Sequence, residues 1–163
     1  MLRLRGNSPA TVDEKGRVKL PSGFKSALDA FFASNANANS GADPQPIPPR
    51  FYLTSLDAKC GLLYPLPIWE EIEEKIYKLP STLAARRAYL ENTSYYGSEI
   101  EPDAHGRFVI QPILRASADL TGEIVILGQI NHLMIWNRAA FERRIAAEPL
   151  TAAHLDQLAE LGI

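Results

Sequence analysis

Apolar residues recur along the chain in short bursts, and the period of each burst predicts its element. Ala10-Thr11-Val12 and Arg17-Val18-Lys19-Leu20 alternate as strands do, around a turn built on Asp13-Glu14-Lys15-Gly16. Glycine supplies the positive φ such a turn needs, and aspartate supplies an acceptor for its amides. Ser22 then reads as the cap of a helix with Phe24, Leu28, Phe31 and Phe32 on one face. Phe51–Leu56 and Gly61–Tyr64 read as strands joined at Asp57-Ala58-Lys59-Cys60. From Pro67 the spacing becomes helical, with Trp69, Ile72 and Ile76 inward and Glu70, Glu71, Glu73 and Glu74 outward. A further helix is predicted near Thr82–Thr93. Strands at Glu123–Leu127 and Leu133–Trp136 form a hairpin around Gln129-Ile130-Asn131-His132. Helices over Arg138–Ala147 and near Leu150–Leu161 close the chain.

These elements repeat. Asp13, Gly16 and Arg17 recur as Asp103, Gly106 and Arg107, each ninety residues later, and both copies lead into a short apolar run and a proline. Leu63-Tyr64-Pro65 leading to Trp69-Glu70 recurs as Ile135-Trp136-Asn137 leading to Phe141-Glu142, at an offset of seventy-two. The first copy therefore holds about eighteen extra residues. The Asn- and Pro-rich stretch from Ala33 to Arg50 has that length and little to bury, so it is read as a flexible inserted loop. Each unit runs strand, turn, strand, helix, hairpin, helix. Units this small cannot each bury a full core, so the two are expected to fold as a pseudo-twofold pair. In that pair Ala10–Val12 and Arg17–Leu20 meet their counterparts around Phe108–Ile110.

Composition narrows the function classes. The 163 residues are 46% hydrophobic and 22% charged, an ordinary globular balance. No run approaches a membrane span, and Met1-Leu2-Arg3-Leu4-Arg5-Gly6 lacks the apolar core of a secretory signal. The lone Cys60 cannot form an internal disulfide or a thiolate zinc site, and it fits a reducing cytosol. His132 and His154 read as surface residues, and Trp69 and Trp136 as core; Tyr95-Tyr96 offers a stacking pair better suited to packing. Neither a glycine-rich phosphate loop nor a triad signature occurs, so catalysis has no support and no cofactor or metal is called for.

Charge is unevenly placed. The net charge is −2, yet residues 1–25 carry Arg3, Arg5, Lys15, Arg17, Lys19 and Lys25 against Asp13 and Glu14, which is +4. Residues 81–163 carry seven arginines against ten acids. Asp13 with Arg17, and Asp103 with Arg107, read either as ion pairs bracing a hairpin or, in the first unit, as part of a phosphate-facing patch.

The order of Leu4-Arg5-Gly6, Asp13-Glu14-Lys15-Gly16-Arg17, Tyr64-Pro65-Leu66-Pro67 with Trp69-Glu70, Asp103-Ala104-His105-Gly106-Arg107, and Leu127-Gly128-Gln129-Ile130-Asn131 with Trp136 resembles the MraZ family. The resemblance covers nearly the whole chain outside the 33–50 insert and the last dozen residues. It implies an α+β fold of two tandem swapped-hairpin, AbrB-like β units forming a pseudo-twofold barrel with peripheral helices. The corresponding division is a first unit over 1–80, a linking helix over 81–96, a second unit over 97–148 and a helical tail over 149–163. It also implies a bacterial transcriptional regulator of the division and cell-wall gene cluster, cytoplasmic and nucleoid-associated. Such a regulator would bind promoter DNA at short direct repeats as a ring-shaped homo-oligomer. The expected DNA-binding residues are Arg3, Arg5, Lys15, Arg17 and Lys19. Asp13, Gly16, Asp103, Gly106 and Arg107 are expected to serve structure. An oligomeric adaptor without DNA binding is the alternative, and a hydrolase using the glutamate row is a remoter one.

Overall fold

A computed structural model describes residues 1–39 and 48–163, with side chains described for 1–36 and 48–163. Chain order is β1 (Asn7–Val12), β2 (Arg17–Lys19), α1 (Ser22–Asn39), β3 (Phe51–Thr54), β4 (Gly61–Pro65), α2 (Leu66–Tyr77), α3 (Ala84–Tyr95), β5 (Ser98–Ile100), β6 (Arg107–Val109), α4 (Pro112–Ser117), β7 (Gly122–Gly128), β8 (Leu133–Asn137), α5 (Arg138–Ala147) and α6 (Ala152–Glu160). The strand-turn-strand-helix-hairpin-helix order thus occurs twice, with α3 between the copies and α6 after the second.

Six strands form one antiparallel sheet in the order β1-β7-β8-β4-β3-β5, and β2 and β6 form a separate two-stranded ribbon. Exchanging each strand for its repeat counterpart reverses the sheet order and leaves it otherwise unchanged. The registers locate the pseudo-twofold axis. Val18 pairs with Phe108, its counterpart ninety residues on, and Leu62 pairs with Met134, its counterpart seventy-two residues on.

Two expectations change here. Among the described residues the ladder does not close into a barrel: β1 and β5 remain the edges of an open sheet. Arg17–Lys19 does pair with Arg107–Val109, but β1 does not join them. Ala10, Thr11 and Val12 instead face Ile124, Glu123 and Gly122 of β7. Strand β1 is a six-residue edge that turns Ser8, Ala10 and Val12 inward, and β7 offers it six consecutive partners where the three-residue β6 offers too few.

Each edge strand is therefore held by the other half of the repeat, and so is the core. Leu53, Leu63, Ile124, Ile126, Leu133 and Ile135 project from one sheet face and are fully buried. They meet Val18 and Phe108 from the ribbon, Phe24 and Leu28 from α1, and Leu114 from α4 in one cluster. The opposite sheet face is covered by α2 and α5. Trp69 stacks on Tyr52 at 4.6 Å, and Trp136 packs against Phe141 at 5.8 Å.

The insert departs from its expectation as well. Helix α1 begins at Ser22, with Pro21 at the cap position: its carbonyl accepts from the Phe24 and Lys25 amides, and Ser22 is simply the first helical residue. The helix then continues through residues 33–39, where composition predicts a loop. Alanine has the best intrinsic helix propensity, and the segment extends a helix already anchored in the core by buried Phe24 and Leu28. Residues 40–47 of the insert lie outside the described residues.

Because both halves supply one core, Phe108→Ala should destabilise the whole molecule by about 3–5 kcal/mol. Urea unfolding monitored separately at Trp69 and at Trp136, in single-tryptophan variants, should give one shared midpoint shifted together. Two separate transitions would show independent halves.

Candidate nucleic-acid interface

The repeated motif builds the same turn twice. The Asp13 amide donates to the Arg17 carbonyl at 3.0 Å, and the Gly16 amide donates to the Asp13 carbonyl at 3.0 Å. Asp13 Oδ1 accepts from the Lys15 and Arg17 amides, each at 2.9 Å, while Oδ2 accepts from Arg17 Nε at 2.7 Å. Asp103 repeats this set with the His105 amide at 2.8 Å and the Arg107 amide at 2.9 Å; its pair with Arg107 Nε is looser, at 3.4 Å. Gly16 and Gly106 have φ of +78° and +74°, the left-handed region. The backbone amides of Arg17 and Arg107, ahead of the guanidiniums, hold the Asp13 and Asp103 carboxyls below the usual carboxylate range.

The two turns interlock. The Ile110 amide donates to the Gly16 carbonyl and the Leu20 amide to the Gly106 carbonyl, both at 2.8 Å. These bonds flank the ribbon at its two ends. Period-two alternation then sends Val18 and Phe108 into the core and leaves Arg17, Lys19, Arg107 and Val109 on one outer face. Lys19 and Arg107 stand directly opposite each other across the strands. Each arginine side chain retains nearly half its exposure, 44% for Arg17 and 45% for Arg107, so both remain available to a ligand.

The sequence-predicted cations therefore divide. Lys15, Arg17 and Lys19 are together at the ribbon, and Arg107, expected to act mainly in structure, shares the outer face of Arg17 and Lys19. Arg3 and Arg5 are elsewhere. They flank buried Leu4, which bridges to Ile130 beside the β7–β8 turn. Strand β1, about 20 Å long at its six-residue length, separates them from the Asp13 turn. Gly128 permits this anchoring, since a Cβ there would strike the Leu4 and Arg5 backbone.

The surroundings of the two turns differ. The groove beside Lys19 is lined by Ser8, Pro9, Ala10 and Thr11, all uncharged. Its counterpart, about 540 Å³, holds Glu99, Glu101 and Asp103 together with Arg17 and Arg107. Glu99 also pairs with Arg50. One basic residue at the site is absent from the sequence-predicted set. The Arg115 guanidinium lies over Gly16, where a Cβ would collide with it, and its Nη1 is buried without a hydrogen-bond partner. The available signal was its position ninety residues after Lys25, which instead pairs with Asp29 at 2.8 Å.

Other candidates resolve into packing. Glu73 accepts from Trp69 Nε1 at 2.7 Å, which gives one of the four helix glutamates a local structural partner. His154 completes a capping box with Thr151. His132 is not the surface residue expected: it is half-buried and stacks on Tyr64 at 4.5 Å, and burial lowers its pKa. Tyr95 and Tyr96 meet edge to face at 5.0 Å, not as a parallel platform. No group of three or more His, Cys, Asp or Glu side chains that could hold a metal occurs among the described residues. No helix among them is long and apolar enough to cross a membrane.

Comparison with known proteins bears on this arrangement. Residues 97–158 match the family model described as MraZ protein, putative antitoxin-like. A protein of Acidobacterium capsulatum named transcriptional regulator MraZ is 38% identical over 159 residues, covering 98% of this chain and 99% of its own. The chain belongs to the MraZ family. A Koribacter versatilis relative of the same name is 34% identical with the same coverage. One from Shewanella frigidimarina is 30% identical over 86% of this chain and 84% of its own. The family-model match begins just before β5 and includes the second Asp-turn-Arg motif, β6, the β7–β8 hairpin and most of α6.

The turn carboxylates make a pH signature. Both have lowered pKa values in the folded chain, so the stability they contribute is present above their unfolded pKa, about 4. It is lost as pH falls from there through the folded values. Asp13→Asn combined with Asp103→Asn should lower stability at neutral pH and flatten the acid limb below about pH 4. Urea midpoints measured from pH 7 to pH 2.5 test this, and parallel acid limbs would refute it.

Proposed function

We propose that this chain is a sequence-specific DNA-binding transcriptional regulator that works as a homo-oligomer. The observation carrying this reading is the alignment of Arg17, Lys19 and Arg107 on the outer face of a two-stranded ribbon, with both arginines held by turn carboxylates. A two-stranded ribbon is among the elements the major groove admits, and arginine reads guanine through its O6 and N7. Lys15 at the turn tip would meet phosphate, with Arg5 and Arg3 adding cationic contacts farther along β1. The names of the relatives as transcriptional regulators support the same reading.

On this reading the chain's own promoter region, carrying short direct repeats, is the target, in the cytoplasm at the nucleoid. One ribbon makes few phosphate contacts, so several copies in a ring would present it repeatedly and raise avidity. Two tandem AbrB-like units are the architecture this implies. The interlocked turns and the palindromic strand order support it.

Gel-shift titration on the upstream DNA provides the test. Arg17→Ala should cost about 1–3 kcal/mol per subunit and relax sequence preference. Lys15→Ala should weaken all sequences alike and reduce the salt slope. Arg107→Ala, beside Glu101 and Asp103, should cost less than Arg17→Ala. Unchanged affinity in the first two variants, with wild-type assembly, would place the DNA elsewhere. Absence of salt-dependent binding by the wild type would favour an adaptor.

A further inference from the structure

The two halves differ most in the placement of the helix that succeeds α2 in one and α5 in the other. In the first half, α3 lies across the sheet and α2. Tyr89 stacks over Trp69 at 6.4 Å. The Thr93 carbonyl accepts from Tyr52 Oη at 3.1 Å and from Thr54 Oγ1 at 2.7 Å. Asn92 Nδ2 donates to the Ser55 and Leu56 carbonyls. Thr93 is fully buried as a result. The floor of this seat is Tyr52, Thr54 and Trp69.

The second half has the same seat, and it is open. Tyr52 faces Tyr64 in the ladder as Val125 faces Trp136, and Thr54 faces Leu62 as Leu127 faces Met134. Trp69 stands four residues after Pro65, as Phe141 stands four after Asn137. Val125, Leu127 and Phe141 are therefore the counterparts of the α3 seat, and they line a groove of about 400 Å³ with Ile145 at its rim. Ile145 is 57% exposed.

The helix that should fill the groove exists, but it is elsewhere. Like α3, α6 comes after the half's last helix and opens on Ala-Ala, and no residue of it is buried. Leu155 and Leu158 fall on one side, with Asp156, Gln157 and Glu160 on the other. The chemistry of groove and helix matches. Where α3 brings an aromatic ring and hydrogen-bonding groups to Tyr52 and Thr54, the second groove offers the apolar Val125, Leu127, Phe141 and Ile145 beside the Arg138–Glu142 pair, and α6 brings leucines. The connection decides whose groove is filled. Residues 78–83 give α3 six residues to fold back, whereas residues 148–151 give α6 four, each connection holding one proline. The two missing residues remove about 7 Å of reach.

We infer that α6 docks through Leu155 and Leu158 into the Val125–Leu127–Phe141 groove of a second copy of this chain. The contact joins different surfaces on the two partners, so it propagates head to tail and closes as a ring where the rotation permits. It rests on the homo-oligomer proposed above and names the element that forms it.

The test uses the full chain. Leu155→Asp with Leu158→Asp alters residues outside the monomer core, so circular dichroism and melting of the chain should be retained. Light scattering should show the mass falling several-fold, from a multiple of 18.0 kDa toward that of one chain. In parallel, Val125→Cys with Leu158→Cys should give a ladder of linked chains on oxidation, since native Cys60 is buried. An intramolecular cross-link would mean that α6 seats on its own groove, and no cross-link would mean that it seats on neither; both overturn the inference. Unchanged mass in the aspartate variant also overturns it while leaving the homo-oligomer intact. A wild type of single-chain mass overturns both.

Discussion

Two backbone hydrogen bonds organise this molecule: Ile110 N–H to the Gly16 carbonyl and Leu20 N–H to the Gly106 carbonyl. Each ties the turn of one half to the strand end of the other. With those bonds made, Val18 and Phe108 are forced onto the same side of a two-stranded ribbon and into a shared core. The bonds require each turn to present its glycine carbonyl outward from a left-handed residue. That conformation is held by an aspartate which accepts two amides of its own turn. The motif spacing is thus a mechanical requirement before it is a binding device. The same spacing leaves the arginine beside the aspartate, charged and half-exposed, at the margin of the ribbon.

Much of this was legible because it is local or repeated. The ninety-residue recurrence of Asp, Gly and Arg identified both turns, and period-two alternation separated Val18 and Phe108 from Arg17 and Lys19. The partner of β1 was not legible. Strand pairing is chosen by surface complementarity across the fold, and nothing in Ala10–Val12 names β7. The start of the insert misled for another reason: a sequence rich in alanine and asparagine reads as low complexity, yet it continues a helix already nucleated by buried Phe24 and Leu28. The basic patch misled by proximity in number. Arg5 and Lys15 are ten residues apart, but an extended strand lies between them.

The near-symmetry makes the departures informative. Arg115 lies over Gly16, whereas its counterpart Lys25 turns away to Asp29, so among the described residues a guanidinium roofs the first turn and not the second. Pro9 and Thr11 stand where the second half has Glu99 and Glu101. The backbone frame is common to both halves, while the electric field above it is not. A duplicated scaffold of this kind can keep both copies of a turn for architecture and specialise the chemistry of one.

The interleaving of the halves also sets a timetable for synthesis. As the chain leaves the ribosome, β2 has no partner until β6 emerges, β3 lacks one of its neighbours until β5, and β1 waits for β7 at residues 122–128. More than a hundred residues beyond β1 must therefore be made before that strand can pair. During that interval Leu53, Leu63 and Phe24 have only local cover, and the nascent strand edges are open to other chains. Contacts this distant in sequence make closure slow relative to a chain of local hairpins. The duplicated architecture thus makes the nascent chain most vulnerable just before β7 emerges, with its sheet half assembled.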